Sequence, residues 1–172
     1  MEFLKIVALS LVAAVLYGII QDQVTVRVCV EYFTIGHPPV FATDSPALLA
    51  FGWGVIATWW YGLLLGVPLA ASARLGSRPK TDAHLMRQPM AFLLIRIACY
   101  TLIGGIAGYV AARQGWVRLI GPIAGRIPPD REAAFIAVLW AHVTAYGSAA
   151  VEGIVFCIRT WRRRGAPAQT AY

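Results

Sequence analysis

At 172 residues, with a hydrophobic share of 59% and a mean hydropathy of +0.65, the chain has no room for a soluble domain beside its apolar segments. A formal charge of +7 would suggest nucleic acid in a soluble protein. Here the basic residues stand between and after long apolar runs, so they read as topology determinants and contacts for anionic lipid headgroups, and no nucleic-acid partner is expected. The class that remains is an all-α integral membrane protein: one membrane domain, 1–172, folded as a four-helix transmembrane bundle.

The first span is predicted at 3–20. Like the three that follow, it offers at least about 18 mostly apolar positions, enough to cross roughly 30 Å of hydrocarbon. Its stretch Leu16-Tyr17-Gly18-Ile19-Ile20 has no small-x-small cleavage site, so it is expected to be retained and not removed as a signal peptide. Beyond it, residues 24–32 alternate strictly: Val24, Val26, Val28, Val30 and Tyr32 on one side, Thr25, Arg27, Cys29 and Glu31 on the other. Period two with β-branched residues predicts a short extended, strand-like outer segment between the first two helices. Gly36-His37-Pro38-Pro39 then turns the chain toward the second span, 46–71. Within that span Pro68 predicts a kink or an end, and Trp59 and Trp60, near its centre, are expected to pack inside the bundle.

The third and fourth spans are predicted at 90–112 and 133–158, joined by a loop whose Trp116, Leu119 and Ile120 suit the headgroup layer. Every span carries a small-xxx-small pair: Ala14 and Gly18, Gly62 and Gly66, Gly104 and Gly108, Ala149 and Gly153. Such pairs let backbones approach closely, so a compact bundle is expected. The basic, Arg-rich tail, 159–172, reads as disordered.

Charge sets the expected orientation. The loop 74–89 holds Arg74, Arg78, Lys80 and Arg87 against Asp82, and the tail holds Arg159 and Arg162 to Arg164 with no acid. An even number of spans places both termini on one side, which the positive-inside rule makes the cytoplasm, in a bacterial plasma (inner) membrane. The third loop dissents, because Arg113, Arg118, Arg126 and Arg131 fall on the outer side of that arrangement.

Ionisable groups inside spans are costly, so they come first as functional candidates. Arg96 and Glu152 lie at matching depths of about 9 Å from the inner edge, which predicts an intramembrane ion pair, either structural or linked to proton movement. His142 lies near the middle of the bilayer, with Tyr146 one turn on. In the outer segment, Glu31, His37 and Asp44 are His and carboxylate groups of the kind that bind first-row metals. Glu31, His37 and His142 would form a two-histidine, one-carboxylate set for a divalent metal such as zinc, with Asp44 and Tyr146 in reserve. The ordinary alternatives are a turn histidine in a solvated loop and a membrane histidine satisfied by a backbone carbonyl. Cys99 and Cys157 read as small buried apolar residues, and the absence of a CxxC pair argues against thiol–disulfide exchange.

There is no GxSxG, HExxH, P-loop or dinucleotide fingerprint, and the three histidines cannot supply the axial pairs of a multi-haem cytochrome. Two functional readings stay open. One is a small membrane protein with an outward-opening polar site at Glu31, His37 and His142 that binds a metal or relays protons. The other is an accessory subunit packed in a larger membrane complex, or a small transporter acting as a homo-oligomer.

Overall fold

The computed structural model describes residues 1–165. Five α-helices follow one another: α1 Glu2–Val28, α2 Glu31–Thr34, α3 Pro46–Arg74, α4 Ala83–Arg113 and α5 Glu132–Arg163, with 3-10 turns at Gly121–Ile123 and Pro129–Arg131. Helices α1, α3, α4 and α5 are long and apolar enough to cross a membrane. At 27 to 32 residues they exceed the hydrocarbon thickness, so their ends reach the depth of the headgroups. Of the tail expected to be disordered, residues 159–163 instead continue α5, and residues 166–172 lie outside the described residues.

The expected extended segment is not there. Residues 24–28 continue α1, residues 31–34 form the single turn α2, and no strand occurs among the described residues. The physical reason is backbone satisfaction. A lone strand at a membrane boundary leaves its N–H and C=O groups unpaired, whereas continuing the helix pairs them, and that outweighs the weak strand preference of valine.

The bundle is built as two tightly packed helix pairs. Buried residues of α1 recur every fourth position at Ile6, Ser10, Gly18, Asp22 and Val26, and those of α3 do the same at Ala50, Gly54, Gly62, Gly66 and Ala70. A stripe of period four on each helix lets one backbone lie in the groove of the other. A Cβ added to Gly54 would stand 2.6 Å from the Ile19 Cα, and one on Gly62 would stand 2.7 Å from the Leu11 Cα. In the second pair, Gly104 of α4 meets Thr144 of α5, and a Cβ on Gly108 would stand 2.8 Å from the Trp140 Cβ. The two pairs meet each other more loosely.

Side chains tie the ends. At one end, α2 folds under the bundle, where Tyr32, Phe33, Ala50, Phe135 and Val138 form an apolar cluster. At the other, basic, end, Arg164 is buried and donates to the carbonyls of Ser72, Leu75, Arg78 and Pro79. It thereby serves the orphan carbonyls of the α3 C-terminus, where the helix dipole also favours a cation. Gly76, at φ +81°, makes the left-handed turn just past that C-cap. The Glu2 carboxylate accepts from the Ala83 N–H at 3.0 Å, joining the start of α1 to the start of α4.

Three smaller expectations are corrected. Trp59 and Trp60 point out of the bundle, 47% and 46% exposed, because the inward face of α3 is taken by its small residues. Cys99 is exposed on the outer face of α4, and Cys157 is only half-buried. Of the two alternatives at Pro68, an end of the helix is excluded, because α3 continues through it to Arg74.

The stripes make a direct prediction. Gly54→Val would force the α1 and α3 backbones apart and should cost at least about 1–3 kcal/mol, the usual range for overpacking. Gly147 has no atom within 4 Å of a would-be Cβ, so Gly147→Ala should stay within about 0.5 kcal/mol of the parent or stabilise it slightly. Thermal unfolding of the two variants in detergent checks the contrast.

Candidate functional site in the inter-pair cavity

A narrow cavity of about 170 Å³ runs between the two helix pairs. Asp22, Tyr32, His37, Trp53 and His142 line it at the α2 end, and Leu69, Met90 and Phe156 line it toward the basic end. Between them about half of the lining residues are alanine or glycine, among them Ala13, Gly18, Gly62 and Ala149. Side chains this small leave the space between the pairs unfilled. From Asp22 to Ser10 the cavity follows α1 for twelve residues, about 18 Å at the helical rise.

The polar contacts that cross the cavity join one pair to the other. Tyr17 of α1 shares a hydrogen bond with Thr101 of α4 at 2.8 Å. The Tyr61 hydroxyl donates to the Tyr146 carbonyl at 2.6 Å, and the Tyr146 hydroxyl donates back to the Ala57 carbonyl at 2.9 Å. The most consequential contact is that of His142 Nε2 with Asp22 Oδ1 at 3.0 Å, between side chains only 13% and 7% exposed.

Donor–acceptor accounting fixes what this contact contains. His142 Nδ1 lies 2.9 Å from the Val138 carbonyl, which can only accept, so Nδ1 carries a hydrogen. In neutral imidazole Nε2 is then an acceptor, and it faces a carboxyl oxygen. Two acceptors at 3.0 Å would repel, so a proton lies between them. It belongs either to an imidazolium facing a carboxylate or to a carboxylic acid facing a neutral imidazole. Both arrangements carry zero net charge, which is what burial favours.

Aromatic rings close the α2 end. Tyr32 stacks on His142 with ring centroids 4.6 Å apart and meets His37 at 4.8 Å, and the other side of His37 packs on Trp53 at 4.5 Å. Burial first, and then the negative charge of Asp22, push the Tyr32 phenol well above its usual range, so it stays a neutral donor at physiological pH. The His37 Nδ1 donates to the Tyr32 carbonyl at 2.7 Å, which fixes the turn after α2.

The proposed metal set does not assemble. Among the described residues no three His, Cys, Asp or Glu side chains come together as metal ligands. Glu31 accepts from Arg131 Nε at 3.1 Å and Nη2 at 3.2 Å, and from the Cys29 thiol at 3.3 Å. Arg131 Nη2 also donates to the Val28 carbonyl at the end of α1, so the pair locks the α1–α2 corner to the start of α5. Asp44 is exposed in the loop before α3, and Tyr146 is committed to α3. His37 and His142 do share the cavity mouth, with Tyr32 between them.

Arg96 and Glu152 are brought together as a bidentate pair, Nε to Oε1 at 3.1 Å and Nη2 to Oε2 at 2.7 Å, bridging α4 and α5. The pair lies outside the cavity and does not touch Asp22 or His142. Asp22 is the residue that reading the sequence missed, because the strand expectation left it in a loop. The signal was present: Ser10, Ala14, Gly18 and Asp22 continue one period-four stripe.

Comparison with known proteins finds no matching family model, no matching curated protein and no matching solved structure.

Two outcomes follow from this geometry. Replacing one member of the Arg96–Glu152 pair leaves a lone charge in a span, worth about 2.5–3.5 kcal/mol. Arg96→Leu should cost more than Glu152→Leu, because a stranded arginine can snorkel to the surface and a stranded glutamate cannot. The double variant should recover most of the loss in a thermal-stability cycle. At the α2 corner, burial, then hydrogen bonding to Glu31 and its charge, push the Cys29 thiol up to about 11. Only about one molecule in a thousand then carries thiolate at pH 8, so alkylation of Cys29 in a Cys99→Ser/Cys157→Ser background should be slow and rise roughly tenfold per pH unit up to about pH 11.

Proposed function

We propose that this is a small membrane protein that exchanges a proton with a membrane-dissolved ligand at the Asp22–His142 pair. The observation that carries the reading is a buried acid–imidazole contact, His142 Nε2 to Asp22 Oδ1 at 3.0 Å, at the mouth of a long apolar cavity. Intramembrane ionisable groups facing a cavity are the usual mark of a proton or substrate path. The cavity suits a molecule with a hydrogen-bonding head and a hydrocarbon tail. Its head would meet Asp22, His142 and the Tyr32 phenol, and its tail would follow the alanine and glycine walls toward Leu69 and Phe156.

The donor set favours a proton over a metal. Both nitrogens of His142 and both oxygens of Glu31 already have protein partners, so binding a metal would break the Asp22 contact and the α1–α2 corner together. With the positive-inside arrangement of the basic end, the site opens to the non-cytoplasmic face of a bacterial inner membrane, and both termini are cytoplasmic.

A second reading, an accessory subunit of a larger complex or a homo-oligomer, is favoured by one observation. Trp59 and Trp60 lie exposed near the middle of α3, away from the interfaces where aromatics normally anchor, and Trp60 stacks on Tyr146 at 6.4 Å. A partner helix would cover them.

Histidine ¹⁵N NMR of the protein in lipid nanodiscs separates the proton reading from a purely structural pair. Asp22→Asn keeps the shape and offers an amide N–H to Nε2, so thermal stability should hold within about 1 kcal/mol while the proton shared with the carboxyl is lost and Nε2 becomes an acceptor. The parent protein should show an Nε2 signal shifted by the shared proton and responsive to an added amphiphilic ligand such as a quinol. An Nε2 signal in the parent that does not respond to the added ligand would defeat the proposal and leave the pair structural.

A further inference from the structure

We infer that the groove between α4 and α5 at the basic end is a binding site for one anionic phospholipid, its phosphate held by Arg159 and Arg163. The groove, about 590 Å³, lies toward the basic end, shares Phe156 with the inter-pair cavity but none of the residues of the proton site, and does not depend on the reading of that site. Two facing rows of side chains build it. Leu85, Pro89, Phe92 and Arg96 descend α4 at spacings of four, three and four, and Arg163, Arg159, Phe156 and Glu152 descend α5 at the same spacings in the opposite chain direction. From the surface inward a ligand would meet arginine, arginine, two phenylalanines and an ion pair.

Charge decides what fits. At the deep end Arg96 is neutralised by Glu152 through two hydrogen bonds. Of the neighbouring arginines of this end, Arg74 is satisfied by Asp82, Arg78 by the Trp161 carbonyl and Arg164 by carbonyls of the α3 end, while Arg87 and Arg162 are exposed outside the groove. Among the described residues, Arg159 and Arg163 have neither a carboxylate nor a carbonyl partner, and both line the groove. Two guanidinium groups at i and i+4 repel each other unless an anion lies between them, and planar forked donors match a phosphate. The aromatic floor directly below them wants hydrocarbon and not water. An anion joined to an acyl chain, at headgroup depth in a membrane, is an anionic phospholipid; basic pockets between spans are where such headgroups bind. The general affinity of the basic loop and tail for anionic lipid thus narrows to two named side chains.

Native mass spectrometry of the full chain tests this, with phosphatidylglycerol and phosphatidylcholine offered at equal concentration in detergent. The parent protein should retain phosphatidylglycerol as a one-to-one adduct with at least tenfold preference. Arg159→Gln/Arg163→Gln should reduce that preference below twofold, and Arg87→Gln/Arg162→Gln, which removes the same charge from exposed positions outside the groove, should keep it. Equal retention of the two lipids by the parent would overturn the inference, whatever the variants do. So would an undiminished preference in Arg159→Gln/Arg163→Gln. Displacement of the lipid by millimolar inorganic phosphate alone would identify a free-anion site and overturn the lipid assignment.

Discussion

The close approach of α1 to α3 is the constraint from which the rest of the molecule follows. Apolar helices in lipid gain nothing from hiding apolar surface, so they adhere by van der Waals contact, and that demands small residues in register. Gly18, Gly54, Gly62 and Gly66 supply them, and Gly104 and Gly108 do the same between α4 and α5. Two stiff pairs result. Because each pair spends its small residues on its own interface or on the walls facing the other pair, the space between pairs is left partly empty.

Polar chemistry fills that weaker interface. Tyr17 with Thr101, the reciprocal Tyr61 and Tyr146 bonds, and Asp22 with His142 all cross from one pair to the other. In hydrocarbon each such bond has no water to compete with, yet each buried polar group must find a partner. The interface that holds the pairs together is therefore the one able to hold a polar ligand. Of these contacts only Asp22–His142 joins a carboxyl to an imidazole.

The two ends of the bundle are finished differently. At the α2 end, Arg131 joins Glu31 and the Val28 carbonyl at the end of α1, so one of the four arginines that conflict with the expected orientation is neutralised within the protein. Burial alone would raise the Glu31 carboxyl, but the hydrogen bonds from Arg131 and Cys29 outweigh it and hold it below the usual carboxylate range. At the basic end Arg164 acts through carbonyls and lies over the Trp161 ring, closing α3 with a cation where its dipole is negative. Neither arginine advertises its role locally, because in each case the partner lies across the bundle.

The sequence by itself determined the number of membrane-length helices, their small-residue faces and the candidate status of Arg96, Glu152 and His142. Those readings rest on apolar length and on helical spacing, both of which are local. It misjudged residues 24–32, because alternating β-branched residues look like a strand until the cost of unpaired backbone at a membrane boundary is counted. That error hid Asp22, whose burial exists only if α1 continues past residue 20. Tertiary structure alone decided that His142 meets Asp22 and not Glu31 or His37, that Trp59 and Trp60 face outward, and that Arg159 and Arg163 converge on one groove. Each of those depends on which face of a helix a neighbour covers, and in lipid, where nearly every residue of a span is apolar, hydrophobicity cannot mark that face.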